Sequence, residues 1–214
     1  MLDLIREHAP RGIVGVVVGI VTNNQDPDGM GRVKVRFPWR DDADESFWAR
    51  IATLMAGPGR GSYFLPEVED EVLVAFDHGD IHHPYVLGAL WNGQDTPPAS
   101  NSDGKNNVRK ITSRSGHEII LDDNTEQQQA RVTIQSQAGH QIVLDDAAGQ
   151  EKIAIADKSG NNTVVIDSAQ NSIAIQSQMR LSLKASTLEI EADTTLTIKA
   201  GATLTIQGSL VKIN

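Results

Sequence analysis

Apolar and polar residues alternate with a regular rhythm in the last forty residues of the chain. Six pairs of apolar residues follow each other at intervals of seven or eight residues, and each pair encloses one polar or small residue. The pairs are Ile173/Ile175, Leu181/Leu183, Leu188/Ile190, Leu196/Ile198, Leu204/Ile206 and Val211/Ile213. Such alternation predicts short β-strands with one buried and one solvated face. Because strands this short cannot form a core alone, the repeat predicts stacking on copies of itself.

The same repeat predicts which side chains form the interior of the stack. The residues expected to point towards a common axis are Leu188, Ile190, Leu196, Ile198, Leu204 and Ile206. Glu189, Thr197 and Thr205 are expected to face water. A single chain would leave the edges of these strands unpaired, whereas three chains wound around one axis would supply the missing hydrogen bonds. We therefore expect an intertwined homotrimer, with roughly 13 layers if residues 111–213 form a strand every eight residues. Hairpins in the longer repeat units would shorten this stack.

A longer repeat precedes this rhythm. The string SGHEIILDD at 115–123 recurs as AGHQIVLDD at 138–146 and, more weakly, as SGNNTVVID at 159–167. In each copy a glycine turn leads into a strand that ends in aspartate, which predicts a turn–strand–turn unit. The region 111–214 is therefore predicted to be one trimeric β-helix, also described as a β-prism.

The first part of the chain has the pattern of a small barrel. RVKVRF at 32–37 alternates, with Val33, Val35 and Phe37 on one face. Further strands are predicted in 12–22, 47–54, 71–80 and 84–90. Five short strands within 12–92 fit a closed barrel such as an OB-fold. The preceding segment, 1–11, fits either a short helix or a frayed terminus, and the Pro-, Ser- and Gly-rich segment 93–110 is predicted to be a linker.

Composition separates the same two regions. All nine aromatic residues lie between Phe37 and Trp91, and all eight prolines lie between Pro10 and Pro98. The absence of proline beyond Pro98 suits a continuous sheet. The net charge of −9, without a basic patch, argues against nucleic-acid binding. There is no cysteine for disulfides or thiolate metal sites. No secretion signal or membrane span is evident at the start of the chain, so synthesis and folding in the cytoplasm are expected.

Several polar clusters contain residue types that bind metals, but none is predicted to be a metal site. The acidic group Asp41, Asp42, Asp44 and Glu45 could attract a cation. Asp26 begins a turn that resembles part of a calcium loop but lacks its bidentate glutamate. His82 and His83 could combine with His78 or Asp80 as ligands. Each of these clusters is predicted to be an ordinary polar loop or turn.

Two histidines occupy equivalent places in the longer repeat. In a trimer, His117 and His140 would each form a ring of three around the axis. Such rings could bind an ion, or each histidine could be a turn residue that forms a local hydrogen bond. No catalytic arrangement or phosphate loop is apparent, so neither enzymatic activity nor a cofactor is expected.

Three long strings resemble those of VgrG-type spike proteins and of the proteins known as phage baseplate assembly protein V. They are VTNNQDPDGMGRVKVRFPW at 21–39, FDHGDIHHPYVLGALWNG at 76–93 and SGHEIILDD at 115–123. The resemblance extends from about Gly12 to the terminal VKIN. It implies a trimeric central spike of a contractile injection machine, with an N-terminal OB-fold followed by an intertwined β-helix. It also implies two partners, a hub protein above the spike and a PAAR-type tip protein below it.

Departures from the family pattern refine these expectations. VgrG chains carry a hub module before the OB-fold, so a separate hub protein is expected here. The sequence has no lysozyme-like domain or His-x-His tip, which favours a phage-tail-like or extracellular injection particle. Leu210, Val211, Ile213 and Asn214 are expected to dock the tip protein. Such a particle would contact the target membrane only transiently.

Two other classes of protein remain open as alternatives. A β-helical adhesin or hydrolase acting on surface glycans would normally carry a groove of aromatic residues and paired carboxylates. The aromatic-free second half of the chain argues against it. An OB-fold that binds single strands needs basic and stacking residues on one face. The net charge of −7 over residues 1–99 argues against that function.

Overall fold

The chain folds into two compact units, 1–102 and 103–214, and both are built from β-strands. The computed structural model describes residues 12–40, 44–126 and 130–213. Within those ranges the structure contains no α-helix, and a single 3₁₀ turn spans Asp77–Gly79. The predicted N-terminal segment 1–11 lies outside the described residues. The division between the units falls inside the segment 93–110 that was predicted as a linker. In the part of the chain so described, no helix is long and apolar enough to cross a membrane.

The first unit contains one main sheet and a small hairpin. Its strands are β1 (Val16–Asn23), β2 (Lys34–Arg36), β3 (Arg50–Ile51), β4 (Ala56–Gly57), β5 (Arg60–Gly61), β6 (Glu71–Phe76) and β7 (Pro84–Ala89). The main sheet has the order β2-β1-β6-β7-β3, and only the β3–β7 pair is parallel. Strands β4 and β5 form the separate hairpin.

Backbone bridges join the two outer strands of this sheet and close it into a barrel. Val33 and Ala49 exchange N–H···O hydrogen bonds of 3.0 and 2.7 Å. The N–H of Ser46 donates to Val35 O at 2.8 Å, and Val35 N–H donates to Ser46 Oγ at 3.0 Å. These bonds pair the β2 side of the sheet with the β3 side. A closed ring of five strands is the OB-fold architecture predicted from the sequence.

The barrel interior is filled by the alternating apolar residues. Val33, Val35 and Phe37 are 0 to 2% exposed, so the face predicted for 32–37 is confirmed. The ring of Phe37 lies 5.5 Å from Phe76 and 5.6 Å from Trp39, measured between centroids. The core residues are Val21, Val33, Val35, Phe37, Ala49, Val72, Val74, Phe76 and Val86. The valine and phenylalanine side chains among them contribute roughly 1.5–3 kcal/mol each when fully buried.

The region after β3 differs from its prediction. The strand predicted over 47–54 is reduced to Arg50–Ile51, and Leu54 is 96% exposed. The chain then turns into the β4–β5 hairpin. Gly61 in this hairpin has φ 147°, and a Cβ there would lie 2.4 Å from Met55 O. Only glycine fits that position, so the close approach of the two strands depends on it.

The second unit contains a single seven-stranded sheet. Its strands are β8 (Val108–Thr112), β9 (Glu118–Asp122), β10 (Arg131–Gln135), β11 (Gln141–Asp145), β12 (Lys152–Ala156), β13 (Thr163–Asp167) and β14 (Ser172–Gln176). The strand order follows the chain order, and every neighbouring pair is antiparallel. The sheet is therefore an up-and-down meander. β8 begins within the range predicted as a linker.

This meander decides between two possibilities that the sequence left open for the longer repeat. Strands in 111–176 were expected to pair with neighbouring chains, one strand every eight residues, unless the longer units formed hairpins. Within one chain, however, β8 to β14 pair with the strands next to them in sequence, and successive strands begin 9 to 13 residues apart. The 23-residue repeat is long enough for a hairpin of two strands and two turns. Each strand can therefore reach a partner from its own chain.

The segment 177–213, which follows the sheet, lacks strand pairing. Residues 177–213 form no strand within the chain, although the apolar alternation continues through them. Nearly every residue of this segment is exposed. The segment is thus the part of the described chain whose backbone and apolar side chains lack the pairing that their pattern predicts.

Candidate functional site

The candidate functional site is one face of the seven-stranded sheet. The strand registers align the second and fourth residues of each strand in two rows that cross all seven strands. The first row is Ile111, Ile119, Ile134, Ile142, Ile155, Val164 and Ile175, and the second is Arg109, Leu121, Val132, Leu144, Ile153, Ile166 and Ile173. We call these two rows the apolar face. At about 4.8 Å between strands, it is roughly 29 Å long.

No described residue of the second unit covers the apolar face. Its leucine and isoleucine side chains are 39 to 72% exposed. An apolar surface that is this continuous is rare on a soluble monomer and marks an interaction site. The one charged member, Arg109, lies on the outermost strand and forms an ion pair of 2.7 Å with Asp123. On β9 to β14 the two rows contain no charged residue. This face can therefore bind another apolar surface without burying an unpaired charge on those six strands.

The opposite face carries a row of charges that alternate in sign from strand to strand. One row on that face reads Asp122, Arg131, Asp145, Lys152 and Asp167 across five consecutive strands. Opposite charges that face each other across strands stabilise a sheet, by roughly 0.2–1 kcal/mol per pair. Gln141 Nε2 also donates to Gln135 Oε1 at 2.8 Å. The middle row of this face is Lys110, Ile120, Thr133, Val143, Ala154, Val165 and Ala174, so the face is mixed and only its charged row is suited to remain in water.

The residues predicted for the axial core lie beyond this sheet. Leu188, Ile190, Leu196, Ile198, Leu204 and Ile206 are 54 to 65% exposed in the single chain. Leu210, Val211 and Ile213, predicted to dock a tip protein, are 47 to 89% exposed, and Asn214 lies outside the described residues. The axial role of the first group and the docking role of the second stay predictions.

Sequence reasoning missed most of the apolar face. It emphasised Ile173/Ile175 and the later pairs, but it did not assign Ile119/Leu121, Ile142/Leu144 or Ile153/Ile155 to an interior. The signal was present, since each of these pairs has the same apolar–x–apolar spacing. The turns between these strands are longer, so these pairs do not recur every seven or eight residues and were not recognised as part of the same repeat.

The two repeat histidines accept hydrogen bonds from the backbone of a neighbouring turn. The ring Nδ1 of His117 accepts the N–H of Gln137 at 3.1 Å, and the ring Nδ1 of His140 accepts the N–H of Lys158 at 3.2 Å. Nδ1 of each ring is therefore occupied by a backbone donor. These bonds run to the next turn along the sheet, 20 and 18 residues away, and the ion-binding role of a ring of three histidines stays a prediction. Among the residues that the structure describes, no group of three or more His, Cys, Asp or Glu could hold a metal ion.

The histidines of the first unit surround a carboxylate. Asp80 Oδ1 accepts the N–H of His82 at 2.9 Å and lies 2.7 Å from its Nδ1, while Asp80 Oδ2 lies 3.0 Å from Nδ1 of His83. The backbone and ring hydrogen bonds from His82, followed by that from His83, lower the pKa of Asp80 to about 2. Asp80 thus organises the tight turn before β7. His78 is 98% exposed.

The predicted acidic cluster is only partly described. Asp41 and Asp42 lie outside the described residues. Asp44 forms an ion pair with Arg40, and Glu45 forms one with Lys34 at 3.0 Å. Hydrogen bonding to Lys34 holds the pKa of Glu45 below its usual range. These two carboxylates have protein partners on neighbouring segments.

Asp26 is the centre of the turn between β1 and β2. Its carboxylate is 3% exposed and accepts the backbone N–H groups of Asp28, Met30 and Arg32 at 3.0 to 3.2 Å. The Arg32 guanidinium donates to both carboxylate oxygens, at 2.9 and 2.6 Å. The hydrogen bonds from Arg32 hold the pKa of Asp26 well below its usual range. The predicted plain turn is thus built around a carboxylate and its five donors.

We expect Asp26→Asn to lower the melting temperature of the first unit, on the order of 5 °C at pH 7. The substitution removes the charge that Arg32 pairs with and leaves an amide group among donors. Because the pKa of the folded carboxyl is depressed, its contribution is fully present above its unfolded pKa and decreases as the pH falls below that value. The difference from the wild type should therefore shrink at pH 3. Asp28→Asn is the control, since Asp28 is 65% exposed. Equal effects of the two changes would contradict this role of Asp26.

The comparison with protein families agrees with the barrel topology. Residues 17–91 match the family described as the type VI secretion system/phage-baseplate injector OB domain. The barrel of the first unit is therefore similar to OB domains of the injector type. The matched range begins in β1 and ends just after β7, so it contains all five strands of the barrel.

Curated relatives extend the match into the second unit. The chain is 31% identical over 125 residues to the type VI secretion system spike protein VgrG2a of Pseudomonas aeruginosa, covering 55% of this chain and 15% of the relative. It is 35% identical over 97 residues to VgrG3 of Vibrio cholerae, covering 44% and 10%. It is 32% identical over 142 residues to VgrG5 of P. aeruginosa, covering 60% and 18%. The resemblance to VgrG-type spike proteins is confirmed. The chain spans less than a fifth of the length of each of these relatives.

Proposed function

We propose that this chain is the structural central spike of a contractile injection machine and that it acts without catalysis. The observation that carries the proposal is the uncovered apolar face, which continues into the unpaired apolar alternation of residues 181–213. The similarity to proteins named as spike proteins supports the same role. In this role the sheet supplies stiffness, because each strand is held by hydrogen bonds along its whole length. The force for puncturing would come from the rest of the machine.

Three copies of the chain would cover their apolar faces mutually. Three identical sheets around one axis form a prism in which the two apolar rows of each sheet face inwards and the charged row faces water. The segments 177–213 would then intertwine, so that each strand takes its hydrogen bonds from its neighbours. Leu188, Leu196, Leu204 and the other predicted axial residues would line the lower part of that axis.

The proposal also includes two partners and a location. A hub protein would bind at the OB domain, and a PAAR-type tip protein would bind at Leu210, Val211 and Ile213, which are exposed. The spike would be made in the cytoplasm and delivered within a phage-tail-like or extracellular injection particle. Contact with the target membrane would be transient. A pull-down with candidate hub and tip proteins tests these partners separately from the trimer.

The purified chain is expected to be a homotrimer. Three copies of a 23.2 kDa chain would give a mass of about 70 kDa by light scattering. The expected result follows from the apolar face, since burial stabilises association by roughly 25 cal/mol per Å² of apolar surface removed from water. A mass of one chain at micromolar concentration would contradict the trimer.

A glycan-binding assay addresses the alternative adhesin or hydrolase, which gains no support from the aromatic-free segment 92–214.

A further inference from the structure

Side-chain acceptors connect the turns that lie along one end of the seven-stranded sheet. These turns are 113–117, 136–140, 157–162 and 177–180, and we call them the turn row. His117 accepts from Gln137 in the second turn, and His140 accepts from Lys158 in the third. In the third turn, Asn162 Oδ1 accepts the N–H of Gln178 at 3.2 Å. The same bond is thus made three times, twice by an imidazole and once by an amide.

The repeat sequence holds each acceptor in place. Ser113 Oγ accepts the N–H of His117, and Ser136 Oγ accepts the N–H of His140, both at 3.0 Å. Gly116 and Gly139, which precede the histidines, have φ of 88° and 94°, a conformation that glycine adopts without strain. Asp157 Oδ1 accepts the N–H of Asn162 at 3.2 Å in the third turn. The three turns therefore present their acceptors in equivalent positions.

We propose that His117 and His140 make the turn row sensitive to acid, whereas the Asn162 connection is not sensitive. An imidazole accepts a hydrogen bond at Nδ1 only while that nitrogen carries no proton. Histidine is the side chain that ordinarily gains its second proton between about pH 5 and 8. Once protonated, each ring would present an N–H to the backbone N–H that it formerly bound. The first three turns would then separate locally, and the last connection would stay intact.

The charged groups around the two histidines differ. Near His117 are Arg114 in its own turn and Glu118, whose carboxylate pairs with Lys110 at 2.6 Å. Near His140 are Asp157, Lys158 and Arg180; Asp157 and Arg180 line the same groove as His140. The carboxylate of Asp157 already accepts from Ser159 and Asn162 at 2.9 to 3.2 Å.

Hydrogen exchange of the full-length protein tests this inference. Amide protection of Gln137, Lys158 and Gln178 would be measured at pH 7.5 and pH 5, each normalised to the intrinsic exchange rate at that pH. We expect protection of Gln137 and Lys158 to fall about fivefold at pH 5, the size expected for one lost hydrogen bond. Protection of Gln178 should not change. Unchanged protection of the first two amides, or an equal fall in all three, would overturn the inference.

The matched variant replaces both histidines with asparagine, the residue type that serves as the acceptor in the third turn. In His117→Asn/His140→Asn both acceptors become amides that do not titrate in this range. Protection of Gln137 and Lys158 should then be the same at both pH values. If the double variant showed the same acid-dependent fall as the wild type, the histidines would not be its source. The inference concerns contacts within one chain and does not depend on the spike role.

Discussion

A chain carrying Ile175→Asp is expected to remain largely monomeric under conditions in which the wild type forms a trimer. Ile175 is the last member of the first apolar row and is 55% exposed in the single chain. The substitution should therefore leave the fold of one chain intact. In the trimer it would place three carboxylates against apolar surface. Burying an unpaired charge costs several kcal/mol per ion, which exceeds what one isoleucine contributes. Light scattering or sedimentation measures the outcome directly.

The neighbouring residue supplies the control for this change. Gln176 is exposed and lies on the opposite face of β14, because side chains alternate along a strand. Gln176→Asp introduces the same carboxylate one position away and should leave the trimer unaffected. If both variants assembled as the wild type does, the apolar face would not be the interface. If both failed to assemble, the effect would come from charge on β14 and not from the face.

Leu196→Ala should lower the stability of the assembled spike by about 2–5 kcal/mol per chain. The reason is the predicted axial position of Leu196, where removal of the side chain would leave a cavity. Threefold symmetry repeats that cavity three times at one level of the axis. Thermal unfolding or resistance to detergent would measure the loss. In the single chain Leu196 is 55% exposed, so a chain that stayed monomeric should hardly respond.

Thr197→Ala is the matched control for this second prediction. Thr197 follows Leu196 directly and is predicted to face water, so its truncation should be mild. Similar losses from both substitutions would place the register of the alternation in doubt. A larger loss of stability from Thr197→Ala would show that the register is the opposite one, with Thr197 inside and Leu196 facing water.

In the first unit, the alternation of apolar residues was sufficient to predict which side chains are buried. The alternation of 32–37 correctly placed Val33, Val35 and Phe37 inside, because a strand with one buried face has a fixed period of two. It could not show that Ala49 and Ser46 close the barrel against this strand. The Ala49 bridge uses backbone groups alone and the Ser46 bridge adds one side-chain hydroxyl, so neither follows from the apolar pattern. The β4–β5 hairpin was missed for a similar reason, since its strands have only two residues each.

The second unit shows where pattern is insufficient. Apolar alternation identified strands but not the strands with which they pair. In 108–176 the turns are long enough for each strand to fold back on its predecessor, so the partner comes from the same chain. In 177–213 the same alternation continues without a partner in the chain. The equivalent histidines were recognised from the repeat, but the backbone donors that they bind, 18 and 20 residues away, were not.

The difference between these two segments has a consequence for the order of folding. Every strand pairing within the meander joins strands that are neighbours in sequence, so closing each hairpin costs little chain entropy and should be fast. The rate of that step should not depend on protein concentration. Structure in 177–213 that requires a second chain must instead form by collision, and its rate should rise with concentration. The preformed sheets would then serve as the templates that bring the three unpaired segments into register.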